Sequence, residues 1–196
     1  MSIYVKQAGT WYEIPSGGGG LSGLGGWADI SDTPTSTYTD ANGVKWNVWT
    51  FNADATLNVA KGGLLDVFLI GCGGPAAAGV SGGGGGVVDG TRHLPAGALP
   101  VHVGKTKITA VGWNGGAMGD RSSIGTLATA FSFVEQGSGS LGLDTPANRE
   151  KGVTSDISGT ATEYGIGFAV TPRPGHGDGG RAGDGSDGIV IVRRPA

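Results

Sequence analysis

The sequence is poor in cysteine, in charge and in long apolar runs, and each shortage removes a class of protein. A single cysteine, Cys72, allows no intrachain disulfide, so the chain is not a disulfide-stapled miniprotein. It lies in the apolar run LLDVFLIGC, where we expect a buried thiol. No segment approaches the roughly 20 apolar residues of a membrane-spanning helix, and the N-terminus has no signal-peptide pattern. We therefore expect synthesis in the cytoplasm and no membrane insertion.

Charge is equally scarce. Charged residues make up 15% of the chain, and the formal net charge is −3. Because phosphate binding needs clustered lysine and arginine, no nucleic-acid partner is expected. A hydrophobic content of 38% with five tryptophans is too high for a disordered chain. The length of 196 residues predicts one folded domain, with at most a small appendage.

Glycine is what the sequence has in excess. It supplies 42 residues, about three times its usual frequency of roughly 7%. No three-residue repeat is present, so the chain is not collagen. The glycines gather in three stretches, GCGGPAAAGVSGGGGG (71–86), GWNGGAMGDRSS (112–123) and PRPGHGDGGRAGDGSDG (172–188). Each interrupts what looks like a single sheet, so we interpret them as excursions from one body that cluster together rather than as linkers.

The N-terminal residues predict a separate small unit. IYVKQAGTWYEI reads as two β-rich runs around Ala8-Gly9, a hairpin that Pro15 ends. The glycine-rich run that follows has almost nothing to pack and is interpreted as a linker. The expected organisation is a hairpin over 1–15, a linker over 16–26 and a glycine-rich β domain over 27–196.

The main domain carries β signals throughout. Asn42-Gly43 predicts a type I′ hairpin turn, and Gly62-Gly63 predicts a turn before the continuous apolar strand 64–70, which should be covered on both faces. IGTLATAFSF is the one segment for which a helix competes with a strand. We predict an all-β, β-sandwich-like fold. The closing run DGIVIVRR should point its isoleucines and valines to opposite faces of a strand, Ile189 and Ile191 against Val190 and Val192.

The order of these signatures resembles a known family. An apolar strand ending in a glycine run (GGLLDVFLIGCGGPAAAGVSGGGGGVV) is followed by LPVHVGK, by GDRSSIGTLATA and by GDGGRAGDGSDGIVIVRR. This succession, over about Val44 to Arg194, resembles the glycine-rich C-terminal domain of bacteriophage minor tail, tail-tip and tail-fibre proteins. The stretch from Gly125 to Gly165 departs from that pattern, because it lacks the expected glycine tract. Receptor loops are therefore not carried over to it.

The resemblance implies a function and a packing mode. In similar adhesins, glycine-rich segments form polyglycine II helices that pack side by side, because backbones without side chains approach closely and leave their amides free to bond laterally. It implies a virion protein whose N-terminal hairpin attaches to other tail proteins and whose glycine-rich domain faces the host. A homotrimer is expected, since it would cover exposed edge strands.

A few residues are candidates for receptor contact. Trp113 and Asn114 place an aromatic ring and an amide between glycines, as a host cell-wall glycan would require, although a tryptophan capping the core explains the same pattern. Arg173 and His176 could meet an anionic wall polymer.

Other chemical motifs are weaker. The GKT at Gly104 to Thr106 has Leu99 where a phosphate-binding loop needs glycine. Two histidines and an aspartate could bind a metal, but solvent-facing histidines are favoured: His93, His102 and Asp89. Three aspartates match no calcium-loop spacing, which favours solvated turn residues: Asp178, Asp184 and Asp187. We expect no cofactor and no enzyme activity.

Four functional hypotheses follow. A tail-tip or tail-fibre component that contributes to host attachment is preferred, and a purely architectural tail or capsid decoration subunit is the alternative. A secreted adhesive protein is disfavoured by the missing signal peptide. An envelope-degrading enzyme ranks last because no catalytic spacing is present.

Overall fold

The described part of the protein is built entirely from β-strands. The computed structural model describes residues 3–7, 10–14, 26–74, 82–106, 120–126, 128–130, 152–167, 169, 171–178 and 185–196. These residues contain fourteen strands and no helix, which confirms the predicted all-β class. The strands are β1 (Ile3–Gln7), β2 (Thr10–Ile14), β3 (Asp29–Ile30), β4 (Ser36–Thr39), β5 (Lys45–Phe51), β6 (Ala55–Lys61), β7 (Gly63–Ile70), β8 (Val87–Leu94), β9 (Gly97–His102), β10 (Ser122–Ile124), β11 (Ala128–Ala130), β12 (Val153–Ser155), β13 (Thr162–Tyr164) and β14 (Ile189–Pro195).

Two five-stranded antiparallel sheets form a sandwich. The first has the order β4-β5-β14-β7-β8 and the second the order β11-β10-β9-β6-β3. Their facing side chains share one core, because alternate residues of each strand point inward. Buried side chains from both sheets meet there, among them Trp49, Leu65, Val67 and Val190 from the first sheet and Leu57, Val101 and Ile124 from the second.

A second core covers the outer face of the first sheet. Phe68 and Ile70 on β7 and Ile189 and Ile191 on β14 point away from the sandwich and are buried. The region of the β12-β13 hairpin covers them, and the ring of Phe68 lies 4.8 Å from that of Tyr164, centroid to centroid. The predictions for the apolar strand and for the alternating closing strand are therefore confirmed.

The turn at Asn42-Gly43 differs from the predicted type I′ form. Strands β4 and β5 do pair, but the amide of Asp40 donates to the carbonyl of Val44 at 3.0 Å and closes a three-residue loop. Gly43 has a φ of 79°, the left-handed value of a loop with a bulged glycine. The carboxylate of Asp40 selects this form, since its oxygens accept bonds from the amides of Asn42 and Val44 and from the indole of Trp46, each at 2.9 Å.

The predicted turn at Gly62-Gly63 is a crossover between sheets. Strand β6 belongs to the second sheet and β7 to the first, so the two glycines do not close a hairpin. Gly63 is required because a Cβ there would lie 2.6 Å from the amide nitrogen of Ala28. Without a side chain at Gly63 the two segments come close together, and the amide of Leu64 donates to the carbonyl of Gly26 at 2.8 Å.

The two predicted strands of the N-terminal hairpin pair. Strand β1 pairs antiparallel with β2 from Ile3 opposite Ile14 to Gln7 opposite Thr10. Ala8-Gly9 and the predicted linker up to residue 25 lie outside the described residues. The described part of the ambiguous segment IGTLATAFSF contains no helix: Ile124 ends β10, residues 125–126 form a turn, and 128–130 form β11. In the described part of the chain, no helix is long and apolar enough to cross a membrane.

The outer core predicts the effect of removing its central ring. Phe68→Ala should lower the free energy of unfolding by about 3 to 5 kcal/mol, the cost of emptying a filled site, as Leu57→Ala in the sandwich core should by about 2 to 5 kcal/mol. Urea unfolding measures both, with Val44→Ala, an exposed position, as the control. A loss below about 1 kcal/mol for Phe68→Ala would mean that the outer face is not covered.

Candidate functional site: the glycine bundle

Glycine-rich segments emerge together at one end of the first sheet. Strand β7 is antiparallel to both β8 and β14, so the end of β7 meets the starts of its two neighbours, with Ile70 opposite both Val87 and Ile189. The segments 71–74, 82–86 and 185–188 continue from these points. We name them, with 103–106 and 177–178, the glycine bundle. Of the run of five glycines, 82–86, every residue is buried, so this run is packed as predicted.

The segment 71–74 lies at the centre of the bundle and bonds to three neighbours. Gly71 donates to the carbonyl of Gly86 at 3.0 Å, and Gly74 donates to Gly83 at 2.9 Å. Between them, Cys72 donates to Asp120 at 3.3 Å and Gly73 to Ser186 at 2.9 Å. Donors three residues apart thus reach the same neighbour, as expected of an extended helix with three residues per turn. The lateral bonding that the family resemblance implied is present in these segments.

The bundle continues beyond this central segment. Gly85 donates to the carbonyl of Gly177 at 2.8 Å, Gly177 to Asp187 at 2.9 Å, and Gly188 to Gly104 at 2.8 Å. These bonds satisfy backbone amides and carbonyls that lie outside the regular strands. Buried segments need such bonds, because an unpaired buried polar group costs free energy. The buried position of Cys72 confirms the expectation of a buried thiol.

Close backbone approach explains why these positions are glycine. A Cβ at Gly85 would lie 2.0 Å from the carbonyl oxygen of Gly71, and one at Gly188 would lie 2.2 Å from that of Ile70. At Gly84 the corresponding distance is 2.0 Å to the carbonyl oxygen of Gly165. All three obstacles are backbone atoms, which cannot rotate away as a side chain can. Any larger residue would therefore force the segments apart.

A buried carboxylate holds the turn next to the bundle. Asp178 is fully buried, and its oxygens accept bonds from the amide of Ile166 at 3.0 Å and from the guanidinium of Arg173 at 2.8 and 3.1 Å. The amide of Asp178 in turn donates to the hydroxyl of Ser186 at 2.7 Å. The hydrogen bonds that Arg173 donates to the Asp178 carboxylate also raise the pKa of Arg173 above its ordinary value. The expectation of a solvated turn aspartate is wrong at this position, because the two-pronged arginine contact compensates burial of the charge.

The two described aspartates of the calcium candidate, Asp178 and Asp187, are bonded to protein donors. Asp187 accepts bonds from the ammonium of Lys105 at 2.8 Å and from the amide of Thr106 at 2.9 Å, so protein donors occupy both of its oxygens. Asp178 is likewise engaged, and Asp184 lies outside the described residues. Over the ranges that the structure covers, no group of three or more histidine, cysteine, aspartate or glutamate side chains is arranged to hold a metal ion.

The histidines lie apart rather than on neighbouring strands. His93 is exposed on β8 in the first sheet, whereas His102 ends β9 in the second. His102 is not solvent-facing in the expected way, because its two ring nitrogens lie 2.9 Å from carboxylate oxygens of Asp54 and Asp120. Sequence reasoning missed this arrangement, since Asp54 is 48 positions away from His102 in the chain.

The candidate receptor residues are only partly described. Trp113 and Asn114 lie outside the described residues, between Thr106 and Asp120 in the chain. Arg173 and His176 share the turn beside Asp178. The imidazole of His176 lies nearly parallel to the ring of Tyr164, with centroids 5.2 Å apart, and its Nδ1 is 2.8 Å from the carbonyl oxygen of Pro174. Receptor contact by these four residues stays a prediction.

Comparisons with known proteins add no relative. A scan against protein-family models found no matching family, and searches of curated proteins and of solved structures found no match.

Packing of the bundle predicts that a glycine-to-alanine substitution inside it destabilises the protein more than one at an open position. Gly85→Ala should lower the free energy of unfolding by about 3 kcal/mol or more, the upper end for overpacking, because the clash is with backbone. Gly43→Ala meets no atom within 4 Å and should cost only about 1 to 2 kcal/mol for its left-handed φ. Urea unfolding of both variants checks the order. Equal losses, or a smaller loss for Gly85→Ala, would contradict close packing of the bundle.

Proposed function

We propose that the chain is a bacteriophage virion structural protein, a minor tail, tail-tip or tail-fibre component that contributes to attachment to the host cell surface and has no enzyme activity. The observation that carries the proposal is the glycine bundle. Its lateral backbone bonding is the packing mode implied by the resemblance of the strand and glycine signatures to the phage tail domain. The site of action is the virion tail, with the N-terminal hairpin as the attachment to neighbouring tail proteins.

The bundle suits a presenting role because it fixes both ends of the segment that carries Trp113 and Asn114. At one end, the amide of Thr106 donates to Asp187 at 2.9 Å and its hydroxyl donates to the carbonyl of Gly73 at 3.1 Å. At the other end, the carbonyl of Asp120 accepts the amide of Cys72. A recognition segment anchored in this way starts from a rigid base, as binding loops on β scaffolds do.

A purely architectural subunit is the second candidate, and a specific observation favours it. Wherever side-chain exposure is described, no tryptophan, tyrosine or phenylalanine ring is exposed, and the one exposed large hydrophobic residue is Val44. The guanidinium of Arg173 is also held by Asp178. These residues therefore offer no ready platform for a sugar ring, and the attachment proposal depends on the segment around Trp113.

The attachment proposal predicts that purified protein labels susceptible cells and competes with infection. Trp113→Ala should weaken labelling at least about tenfold, as removal of a central aromatic contact does at other interfaces. Flow cytometry with the fluorescently labelled protein measures this, and Val44→Ala should bind as the unchanged protein does. Arg173 is a poor probe, since its replacement would unpair Asp178. Absence of labelling by the unchanged protein would favour the architectural subunit.

The proposal also predicts three chains per particle. Strands β4, β8, β3 and β11 end the two sheets, and a homotrimer would cover such edges, which otherwise invite uncontrolled pairing. Light scattering of the purified protein should give three times the chain mass of 19.4 kDa. A monomer at all accessible concentrations would contradict the trimeric fibre and leave a peripheral subunit of the tail.

A further inference from the structure

His102 lies between two carboxylates, and this position fixes its charge. Its Nδ1 is 2.9 Å from Oδ1 of Asp54, and its Nε2 is 2.9 Å from Oδ2 of Asp120. An ionised carboxylate can only accept a hydrogen bond, whereas a neutral imidazole has one donor nitrogen and one acceptor nitrogen. Both contacts are therefore satisfied together only when both ring nitrogens carry protons. The geometry describes an imidazolium cation shared between two anions.

The three residues come from three different parts of the chain. Asp54 lies between β5 and β6, His102 ends β9, and Asp120 precedes β10. Each carboxylate-bearing residue also makes a backbone contact, since Oδ1 of Asp54 accepts the amide of Val103 at 2.9 Å and the carbonyl of Asp120 accepts the amide of Cys72 at 3.3 Å. The ion cluster thus joins the end of the second sheet to the centre of the glycine bundle.

We propose that Asp54, His102 and Asp120 form a pH-sensitive clamp at the base of the glycine bundle. While His102 carries both ring protons, the clamp holds Asp120 against β9, in the position where its carbonyl accepts the amide of Cys72. When one proton leaves, one nitrogen becomes an acceptor that faces a carboxylate oxygen, and that contact turns from attractive to repulsive. The clamp then opens locally without unfolding the sandwich. This inference does not depend on the proposed function.

The electrostatics give the direction of the switch. Burial alone would lower the pKa of His102, but hydrogen bonds and charge from Asp54 and Asp120 outweigh it and raise the pKa above the ordinary 6.5. The amide of Val103 and then His102 lower the pKa of Asp54, so that carboxylate stays ionised. Lys105 is the other charged group near the cluster, and it acts on Asp54 while its ammonium bonds to Asp187.

The sign of the pH dependence follows from the raised pKa. A group whose pKa is higher in the folded than in the unfolded state binds its proton more tightly when folded. Its stabilising contribution is therefore complete below the unfolded value of 6.5 and is lost as the pH rises through the folded pKa. The clamp is closed while both ring nitrogens of His102 are protonated, and it opens as the pH rises through the raised pKa of His102.

Hydrogen exchange and histidine titration test the clamp together. The three histidines are distinguishable by NMR of the full chain, and the measured pKa of His102 should lie above its ordinary 6.5. Through that titration, the protection factors of the Cys72 and Val103 amides, corrected for intrinsic exchange at each pH, should fall about tenfold, the scale of losing a charge-assisted hydrogen bond. The amide of Val190, inside the first sheet, should keep its protection.

Matched variants distinguish opening of the clamp from a general loss of amide protection as the pH rises. Asp120→Asn should lower the pKa of His102, and His102→Gln should abolish the pH dependence of protection at Cys72 and Val103. His93→Gln should leave that dependence unchanged. The proposal is overturned if the pKa of His102 is at or below 6.5, or if Cys72, Val103 and Val190 lose protection in parallel. The titration of the unchanged protein decides the matter even where a variant does not fold.

Discussion

The described part of this protein depends on one constraint, the contact of backbone with backbone where a Cβ would not fit. At Gly84, Gly85 and Gly188 a Cβ would lie between 2.0 and 2.2 Å from a backbone carbonyl oxygen of another segment. Ordering glycine is entropically expensive, because it has more conformational freedom to lose than any other residue. The lateral hydrogen bonds of the bundle offset that cost, and they form only at this separation. The glycine content is therefore a packing requirement rather than a source of flexibility.

The sandwich and the bundle stabilise the chain by different means. The two sheets bury apolar side chains on both faces of β7 and β14, so their contribution comes mainly from removing apolar surface from water. The bundle has few side chains to bury, and it relies on backbone hydrogen bonds at its centre and on ionised groups at its margin. Asp187 with Lys105, and His102 with its two carboxylates, tie separate segments together, while Asp178 and Arg173 hold the turn between them.

This division connects the fold to the proposed attachment role. A recognition segment needs a base that does not move, and the bundle supplies one from residues that have almost no side chains of their own. The bundle's own residues have few side chains that could give specificity, which leaves the ionised groups around it and the residues between Thr106 and Asp120 in the chain. Those ionised groups hold the bundle together. The guanidinium of Arg173, for example, is bonded to the carboxylate of Asp178 and has a structural role.

Local patterns determined much of this structure. Alternation gave β14 its two faces, the apolar run gave β7 its central position, and the glycine stretches marked the segments that pack together. Pairings between distant residues were decided only by the tertiary structure, because a sequence does not state which strands share a sheet. That is why Gly62-Gly63 joins two sheets instead of closing a hairpin, why Lys105 meets Asp187, and why His102 meets Asp54 and Asp120. Local periodicity fixes which side of a strand is apolar, but charge pairing depends on distances that exist only once the sheets have assembled.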